Sequence, residues 1–312
     1  MENNIKNLNN NLHLDIIGDI HGHATKLINL LEKMGYIEKN GTYEHPEKRQ
    51  VVFLGDYIDR GDEQEKTINI VRNMVENGSA YAIMGNHELN AILYSMKVGN
   101  SFLRVHSKGN KDQHESFLNE YPFHSEKHLE IIEWFKTLPV FLEIENARFV
   151  HASWVNRNIN YLKSILNSDN TIKDHTYLNF SDRSHPDTVI LEMTMKGLEM
   201  KLPNKIKWAD NHGIERDTLR INWFLKKENP TYKNSALSIP SHVDLPNIPI
   251  PEKDFFYSDN EVVFFGHYWM KGDPKIDTIK CVCLDYSAGK GGQLTGYRFD
   301  GELNLSNEKF IY

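Results

Sequence analysis

Five short apolar stretches of this chain are each followed within a few residues by side chains that could bind metal ions. These side chains are carboxylates, imidazoles and one amide, at Asp19, His21, Asp56, Asn86, His151 and His267. Oxygen and nitrogen donors of this kind suit Mn, Fe, Zn or Co ions and could not form a thiolate site. Any one of these histidines alone would indicate an ordinary core or surface residue. Their recurrence after five separate stretches predicts a metal centre.

The apolar stretches themselves predict an α/β core. Residues 13–17, 51–54 and 80–84 have the composition of short buried strands. Between them, apolar residues recur on one helical face, at Leu27, Leu30, Leu31 and Met34 and again at Ile68, Val71, Met74 and Val75. Repeated strand–turn–helix units form parallel sheets, whose carboxyl ends bring polar side chains to one edge.

Further strands are predicted after this core. Residues 139–144 and 147–150 have the pattern of a hairpin, and residues 262–265 form another fully apolar stretch. Residues 281–312 alternate in the manner of a β-meander that ends the chain. The strands after the core therefore carry the last two histidines of the predicted metal centre.

Two insertions separate these elements. The first, about 91–138, is helical and polar, and the second, about 152–260, has little clean periodicity. We expect one domain over residues 1–312, with the second insertion forming an accessory or cap region.

Composition and charge exclude several functions. The chain has 36 Lys and Arg against 43 Asp and Glu, a net charge of -7 that disfavours bulk nucleic-acid binding. No apolar run is long enough to span a membrane, and the Asn-rich beginning does not have the pattern of a signal peptide. Cys281 and Cys283 do not form a disulfide framework. We therefore expect no membrane partner and a cytoplasmic location.

Three motifs make the chain recognisable as a type of enzyme. GDIHG at 18–22, GDYIDRG at 55–61 and GNHE at 85–88, followed by two isolated histidines, resemble the calcineurin-like metallophosphoesterase superfamily. Within it they resemble the phosphoprotein-phosphatase branch and its bacterial relatives, the symmetrical diadenosine tetraphosphatases. The ending at 283–295 is similar to the closing hairpin of the tetraphosphatase type. The resemblance implies a metallophosphoesterase fold of two packed mixed β-sheets flanked by helices.

The resemblance also implies a ligand set for two divalent transition metal ions. Asp19 and His21 would bind the first ion, Asp56 would bridge both ions, and Asn86, His151 and His267 would complete the second. We expect manganese, and iron or zinc would also suit these donors. A hydroxide shared by the two ions would attack phosphorus in line with the leaving group.

Three further residues are implied to assist this attack. His87 would protonate the leaving oxygen, and Asp59 would orient its imidazole and keep it charged. Arg60 would grip a phosphate group with its planar guanidinium. An isolated Asp-Arg-Gly turn would more often be a surface ion pair, but here it follows Asp56 directly.

The sequence departs from the superfamily pattern in two places. The motif at His151 continues Ala-Ser-Trp instead of ending in glycine, and a second clamping arginine cannot be placed. Arg104, His106 and Lys108, with Asn110, Gln113 and His114 close behind, offer a possible substitute. This group either faces the substrate phosphate or belongs to a solvated surface of helix and loop.

The most specific prediction is therefore a dinuclear metal-dependent phosphatase that cleaves phosphomonoesters of proteins or small molecules. The alternative is a symmetrical dinucleoside tetraphosphate hydrolase, because the ending resembles that type. A non-catalytic metal-stabilised scaffold is less favoured, since the acid and the phosphate-gripping residues are all present. A phosphodiesterase acting on nucleic acid is less favoured because the chain is acidic and shows no basic groove. The oligomeric state and the metal identity are left open by these patterns.

Overall fold

The computed structural model describes residues 13–209, 215–225, 227–237, 239–240, 243–251 and 253–312. The Asn-rich beginning discussed above lies outside the described residues. Within the described ranges, no helix combines the length and the apolar character that crossing a membrane requires.

Helices and strands alternate over most of these ranges. The helices are α1 (Ala24–Met34), α2 (Gln64–Glu76), α3 (Asn86–Ser95), α4 (Lys108–Glu120), α5 (Glu126–Lys136), α6 (Asn156–Ile165), α7 (Asp174–Tyr177), α8 (Pro186–Lys196) and α9 (Tyr232–Ser235). The strands are β1 (Leu14–Ile17), β2 (Ile37–Lys39), β3 (Thr42–Glu44), β4 (Gln50–Phe53), β5 (Ala80–Ala82), β6 (Lys97–Val98), β7 (Ser101–Phe102), β8 (Phe141–Ile144), β9 (Ala147–Val150), β10 (Glu199–Lys201), β11 (Trp208–Ala209), β12 (Glu215–Arg216), β13 (Thr218–Ile221), β14 (Ala236–Leu237), β15 (Val262–Phe265), β16 (Cys281–Cys283), β17 (Asp285–Tyr286), β18 (Gln293–Leu294), β19 (Gly296–Phe299) and β20 (Phe310–Ile311). Short 3-10 helices cover Leu178–Ser181, Pro203–Lys205, Lys253–Phe255, Ala288–Lys290 and Asn307–Lys309.

The first sheet contains the three predicted parallel strands. Its order is β20-β19-β1-β4-β5, with β1, β4 and β5 parallel and β19 antiparallel to β1. Ile17 at the end of β1 lies opposite Phe53 at the end of β4, so both strands finish at the same level. The third predicted strand is shorter than expected, since β5 ends at Ala82 and not at residue 84.

The second sheet is built from the strands predicted later in the chain. Its order is β16-β15-β9-β8, with β9, β15 and β16 parallel and β8 joined to β9 by the predicted hairpin. Glu145 in that hairpin takes a φ of 51°, in the left-handed region that such a tight turn needs. Both sheets are thus mixed, with a parallel core.

The two sheets pack face to face through one apolar cluster. The members of this cluster are fully buried and come from both sheets: Leu14, Ile16, Val52, Leu54, Phe149, Phe264, Val282, Tyr297 and Phe299 among them. Phe149 and Phe264 stack at a centroid distance of 5.5 Å within the second sheet. The predicted fold class, two packed mixed sheets flanked by helices, is confirmed.

The helices cover the outer faces of this sandwich. α1 buries the predicted stripe of Leu27, Leu30, Leu31 and Met34. It ends at Gly35, whose φ of 93° is the left-handed conformation that glycine adopts without a Cβ clash. α2 buries Ile68, Val71 and Met74 in the same way, so both helices pack on the first sheet through a face read from the sequence.

The two insertions lie between the core strands. The segment 91–138 contains the end of α3, the β6–β7 hairpin, α4 and α5. The segment 152–260 contains α6 to α9 and the small sheet β10-β13-β14. Trp154 and Trp223 are fully buried in this second segment. Its role as a cap stays a prediction.

Candidate metal centre

The predicted metal ligands follow strands of both sheets. Asp19 and His21 follow β1, Asp56 follows β4, His151 follows β9, and His267 follows β15. Asn86 is the first residue of α3. Because the sheets pack with these strand ends side by side, side chains from five distant parts of the chain converge in one cleft.

Asp56 lies at the centre of this convergence. Its Oδ1 is 3.3 Å from Nε2 of His151, and its Oδ2 is 3.7 Å from Nε2 of His21. Asp56 belongs to both of the compact groups of possible ligand atoms among the described residues, one with His21 and His87 and one with His151 and His267. A carboxylate shared by two groups is the arrangement that two neighbouring cations require.

Asn86 and Asp19 join the side of the centre formed by His267. Oδ1 of Asn86 lies 2.7 Å from Nδ1 of His267 and 3.1 Å from Nε2 of His151. The carboxylate of Asp19 accepts the backbone N–H of His267 at 3.1 Å. Gly266 permits this approach, since a Cβ at that position would lie 1.9 Å from Oδ1 of Asp19. All six predicted ligands are therefore brought together, although Asp19 is in neither compact group.

The donor atoms of this centre fit divalent cations. Nδ1–H of His21 donates to the carbonyl of Ile58 at 2.9 Å, and Nδ1–H of His151 donates to the carbonyl of Leu54 at 2.8 Å. These bonds leave Nε2 of each ring facing the Asp56 carboxylate, where it could bind a metal ion in its deprotonated form. Nε2 of His21 and Nε2 of His267 are buried without a hydrogen-bond partner among the described residues. Orphaned nitrogens beside buried carboxylates are what a bound metal ion would satisfy.

The electrostatics of the centre favour bound positive charge. Burial alone would raise the pKa of Asp56, but the neighbouring His151 and His87 hold it well below the usual range. Burial also lowers the pKa of His151, yet the Asp56 carboxylate raises it to about 10. An environment that stabilises an imidazolium so strongly also stabilises a cation held by the same carboxylate.

The backbone around the centre is held in an uncommon conformation. Residues other than glycine have a positive φ at His21 (51°), Asp56 (53°), Asp59 (69°), Arg60 (75°), His267 (73°) and Trp269 (52°). Such conformations cost free energy and occur where surrounding contacts enforce them. At Asp56 the enforcing contact is Glu88, whose buried carboxylate accepts the backbone N–H groups of Asp56, Tyr57 and Gly85 at 2.9, 2.8 and 2.9 Å. Glu88 is part of the GNHE motif, but its role could not be read from the sequence.

His87 and Asp59 form a buried pair next to Asp56. Nδ1 of His87 lies 2.5 Å from Oδ2 of Asp59, while its Nε2 lies 3.8 Å from Oδ2 of Asp56. Burial opposes the charged imidazole, but the carboxylates of Asp56 and Asp59 raise the pKa of His87 above its ordinary value. Asp59 therefore anchors one nitrogen of His87 and the other is directed at Asp56, while both carboxylates favour the protonated ring.

A second histidine holds the same carboxylate. Nδ1 of His114 lies 2.8 Å from Oδ1 of Asp59, so each carboxylate oxygen contacts one imidazole. His114 is buried on α4, within the first insertion. The sequence indicated a polar, His-rich segment here, but it contained no signal that His114 points inward to Asp59.

Arg60 lies at the edge of the centre. Its side chain is exposed, and its guanidinium carbon is 5.7 Å from the ring centroid of Trp269. Trp269 stacks on His21 with a centroid distance of 5.3 Å and an interplanar angle of 17°. Trp269 was not singled out from the sequence, because an isolated tryptophan after a strand has no distinguishing pattern.

The three residues of the predicted substrate-binding group make different contacts. Arg104 donates to Oδ1 of Asn90 and to Oε1 of Gln113, both at 3.0 Å. His106 stacks on the rings of Tyr94 and Phe102, with its centroid 3.7 and 4.1 Å from theirs. Lys108 is exposed at the start of α4. Burial lowers the pKa of Arg104 and the nearby Asp59 carboxylate opposes this effect, which keeps Arg104 the strongest candidate of the group.

An arginine that the sequence did not reveal lies near His267. Burial and the positive charge of Arg220, on β13 of the second insertion, lower the pKa of His267 well below its ordinary value. Arg220 also pairs with Glu199 at 3.5 Å. The second insertion therefore brings a guanidinium close to the candidate metal centre.

The model of one protein family matches most of the chain, over residues 12–268, and its description is calcineurin-like phosphoesterase. This chain belongs to the calcineurin-like phosphoesterase family. The matched range includes all the predicted metal ligands from Asp19 to His267 and the pair of His87 and Asp59. The resemblance inferred from the three motifs is thereby confirmed.

Curated relatives of this calcineurin-like phosphoesterase include bacterial tetraphosphatases. The chain is 38% identical over 141 residues to the asymmetrical bis(5'-nucleosyl)-tetraphosphatase PrpE of Oceanobacillus iheyensis, an alignment with 45% of this chain and 55% of the relative. A PrpE of Halalkalibacterium halodurans is 36% identical over 127 residues, with 41% of this chain and 49% of the relative. The chain thus spans about half the length of these two relatives.

A longer alignment and a solved structure extend the comparison. The symmetrical bis(5'-nucleosyl)-tetraphosphatase of a Marinomonas species is 28% identical over 303 residues, with 93% of this chain and 95% of the relative. The structure of a serine/threonine phosphatase from Saccharomyces cerevisiae aligns with 98% of this calcineurin-like phosphoesterase, and the alignment includes 80% of the yeast chain. Its sequence identity is 14% and its TM-score 0.49.

Proposed function

We propose that this protein is a phosphohydrolase whose catalytic centre holds two divalent transition metal ions. The proposed ligands are those that converge at the strand ends: Asp19, His21, Asp56, Asn86, His151 and His267. The observation that carries the proposal is the position of Asp56, whose carboxylate belongs to both groups of converging ligand atoms. We propose manganese as the metal, with iron and zinc also compatible with these donors.

The chemistry follows from the residues around this carboxylate. Bound cations would lower the pKa of water and neutralise the charge that develops on the phosphoryl oxygens. Water supplies the oxygen that attacks phosphorus and loses one proton to solvent, and the bond from phosphorus to the leaving oxygen breaks. His87 gives its Nε2 proton to that oxygen, because Asp59 holds Nδ1 and keeps the ring charged. Arg60, exposed at the edge of the centre, binds the phosphate that is attacked.

Two substrate classes are compatible with this chemistry. The first is a phosphomonoester on a protein or a small molecule, in which one phosphate is attacked. The second is the anhydride of a dinucleoside tetraphosphate, and the Marinomonas relative named above favours it because the alignment spans both chains almost completely. In either case the partner is a phosphorylated substrate.

A substrate panel tests the proposal. Purified protein loaded with Mn²⁺ is assayed with p-nitrophenyl phosphate, bis(p-nitrophenyl) phosphate, phosphopeptides and dinucleoside tetraphosphates, with and without excess EDTA. We expect turnover of a monoester or an anhydride that EDTA abolishes and Mn²⁺ restores. Hydrolysis that persists in EDTA would show that the metals are not required, and preference for the bis ester would identify a phosphodiesterase.

A further inference from the structure

A tryptophan and two cations lie together beside the proposed metal ligand His21. Nζ of Lys290 is 3.9 Å from the ring centroid of Trp269, and the guanidinium carbon of Arg60 is 5.7 Å from the same centroid. Both distances fall within the range of about 6 Å at which a cation is attracted to an aromatic ring. We call Arg60, Trp269 and Lys290 the cationic rim.

The turn that carries Lys290 is packed directly on His21. A Cβ added at Gly289 would lie 2.8 Å from Cδ2 of His21, so only glycine allows this approach. Nζ of Lys26 donates to the carbonyls of Ala288 and Gly292, both at 2.9 Å, and holds the two ends of the turn. Lys290 is therefore presented from a fixed backbone next to the metal centre.

The charges at the rim are of one sign. Burial and the nearby charges of Arg60 and Lys271 lower the pKa of the Lys290 ammonium. Asp285 is the acidic group that opposes this effect, and its two oxygens accept the backbone N–H groups of Trp269 and Ser287 at 2.7 and 2.9 Å. In a chain of net charge -7, this local excess of cations is suited to an anion that enters from solvent.

We propose that Lys290, held over Trp269 beside Arg60, binds a second phosphate group joined through one bridging oxygen to the phosphate attacked at the metal centre. The substrate class is then a phosphoanhydride, with at least two consecutive phosphates. This inference rests on the proposed function, because it uses the metal centre to place the first phosphate. Nothing in the attack itself requires Lys290, so the residue acts on binding and selectivity.

Geometry favours a second phosphate over an acidic peptide side chain. Trp269 contacts both His21 and Lys290, so both the proposed metal ligand and the ammonium lie against one ring. In an anhydride the two phosphorus atoms share one oxygen, and the second phosphate must lie immediately beside the first. An acidic side chain next to a phosphoserine is separated from the phosphate by many more bonds. A simple monoester has no second anion to place there.

Kinetics with matched substrates test the inference. Lys290→Met removes the ammonium and keeps the length of the side chain, Lys290→Arg restores a cation, and Lys33→Met is the control. Lys33 is exposed in the last turn of α1, where its Nζ donates to the carbonyl of Tyr312. We expect Lys290→Met to lower the ratio of kcat/KM for a dinucleoside tetraphosphate to kcat/KM for p-nitrophenyl phosphate by about tenfold. This is the size of effect expected when one charge-assisted hydrogen bond is lost.

Binding provides a readout that is independent of turnover. The Mn²⁺-loaded protein is titrated calorimetrically with methylenediphosphonate, which has two phosphonate groups, and with methylphosphonate, which has one. Neither ligand can be hydrolysed. We expect the preference for the diphosphonate to fall at least fivefold in Lys290→Met and to persist in Lys290→Arg and Lys33→Met. An unchanged preference in Lys290→Met, or an equal loss for both ligands, would overturn the inference.

The two proposals can fail separately. If wild-type protein hydrolyses monoesters and anhydrides but Lys290→Met leaves their ratio unchanged, the catalytic proposal stands and the rim is not a phosphate site. If wild-type protein hydrolyses neither, the proposed function fails. The titrations then decide whether the rim binds the second phosphorus group.

Discussion

Oδ1 of Asp59 lies 2.8 Å from Nδ1 of His114, while Oδ2 of the same carboxylate contacts His87. The residue that orients the proposed general acid is therefore oriented itself, by a histidine from the first insertion. Burial would raise the pKa of Asp59, but the two imidazoles hold it below the ordinary range, so the carboxylate stays ionised. His114 thus acts on His87 through Asp59 and has no contact of its own with the proposed ligands.

Removing this support should weaken proton donation. His114→Phe keeps an aromatic side chain but loses the hydrogen bond to Asp59. Oδ1 of the buried Asp59 carboxylate is then left without this donor. We expect kcat for phenyl phosphate, which has a poor leaving group, to fall about tenfold or more. His114→Asn can place an amide N–H near the position of Nδ1 and should retain most of the activity.

The pH profile separates a positioning role from a structural one. Without the contact to His114, the Asp59 carboxylate becomes a stronger acceptor for His87, so the pKa of the acid should rise and the basic limb of the kcat profile should move to higher pH. A profile of unchanged shape with reduced amplitude would mean that His114 supports only the fold around α4.

The effect of removing His87 should depend on the leaving group of the substrate. His87→Ala should lower kcat for phenyl phosphate by about 100-fold, the usual contribution of a general acid. The decrease should be much smaller for p-nitrophenyl phosphate, whose leaving oxygen needs little protonation. Equal rates for wild type and variant with phenyl phosphate would contradict the assignment.

Metal content tests the shared carboxylate. Asp56→Asn removes the charge that both groups of ligands use, so we expect loss of both bound metal equivalents and of turnover. Elemental analysis of the purified variants gives the stoichiometry. Asp112→Asn, at an exposed position on α4, is the control and should keep the wild-type metal content.

Gly266 offers a test of Asp19, which contacts the backbone of His267 but lies outside both compact groups. The added methyl group of Gly266→Ala would meet Oδ1 of Asp19 at 1.9 Å, so the carboxylate must move. If Asp19 is a ligand, we expect loss of about one metal equivalent and a folded protein by circular dichroism. Two retained equivalents with full activity would remove Asp19 from the ligand set.

Stability should depend on pH through a histidine that is not one of the proposed metal ligands. His128 on α5 is fully buried near Phe117 and Phe123, and burial lowers its pKa to about 4. Above pH 6.5 the ring is neutral in both states and has no effect on the pH dependence. As the pH falls from 6.5 towards 4, the unfolded chain gains a proton that the folded chain resists, and stability decreases by up to about 3 kcal/mol.

Replacing this histidine should flatten the profile. Urea unfolding of His128→Leu in EDTA at pH 7.5, 6.0 and 4.5 should show a smaller loss of unfolding free energy than wild type over the same interval. EDTA keeps metal release from contributing to the difference. Parallel curves for the two proteins would show that His128 is not the source of the acid sensitivity.

Local sequence patterns were sufficient to predict the core elements and to identify the proposed ligands. Periodicity within a few residues predicts the helical stripe from Leu27 to Met34 and the apolar strands before Asp19 and Asp56. The structure contains these elements close to the predicted positions. The predicted strand at 80–84 is shorter in the structure because ladder pairing with β4 ends at Ala82. Apolar composition does not report where a partner strand stops.

The sequence by itself determined which side chains are proposed to carry the chemistry, because they recur after apolar stretches whose ends a parallel sheet brings to one edge. Only the tertiary structure decided that Asp56 is shared by two groups, that His114 supports Asp59, and that Lys290 lies over Trp269. These contacts join residues from 21 to more than 200 positions apart, and they form only after helices and turns from separate segments have packed. Spacing along the chain describes local conformation, whereas long-range contacts depend on how buried faces fit together.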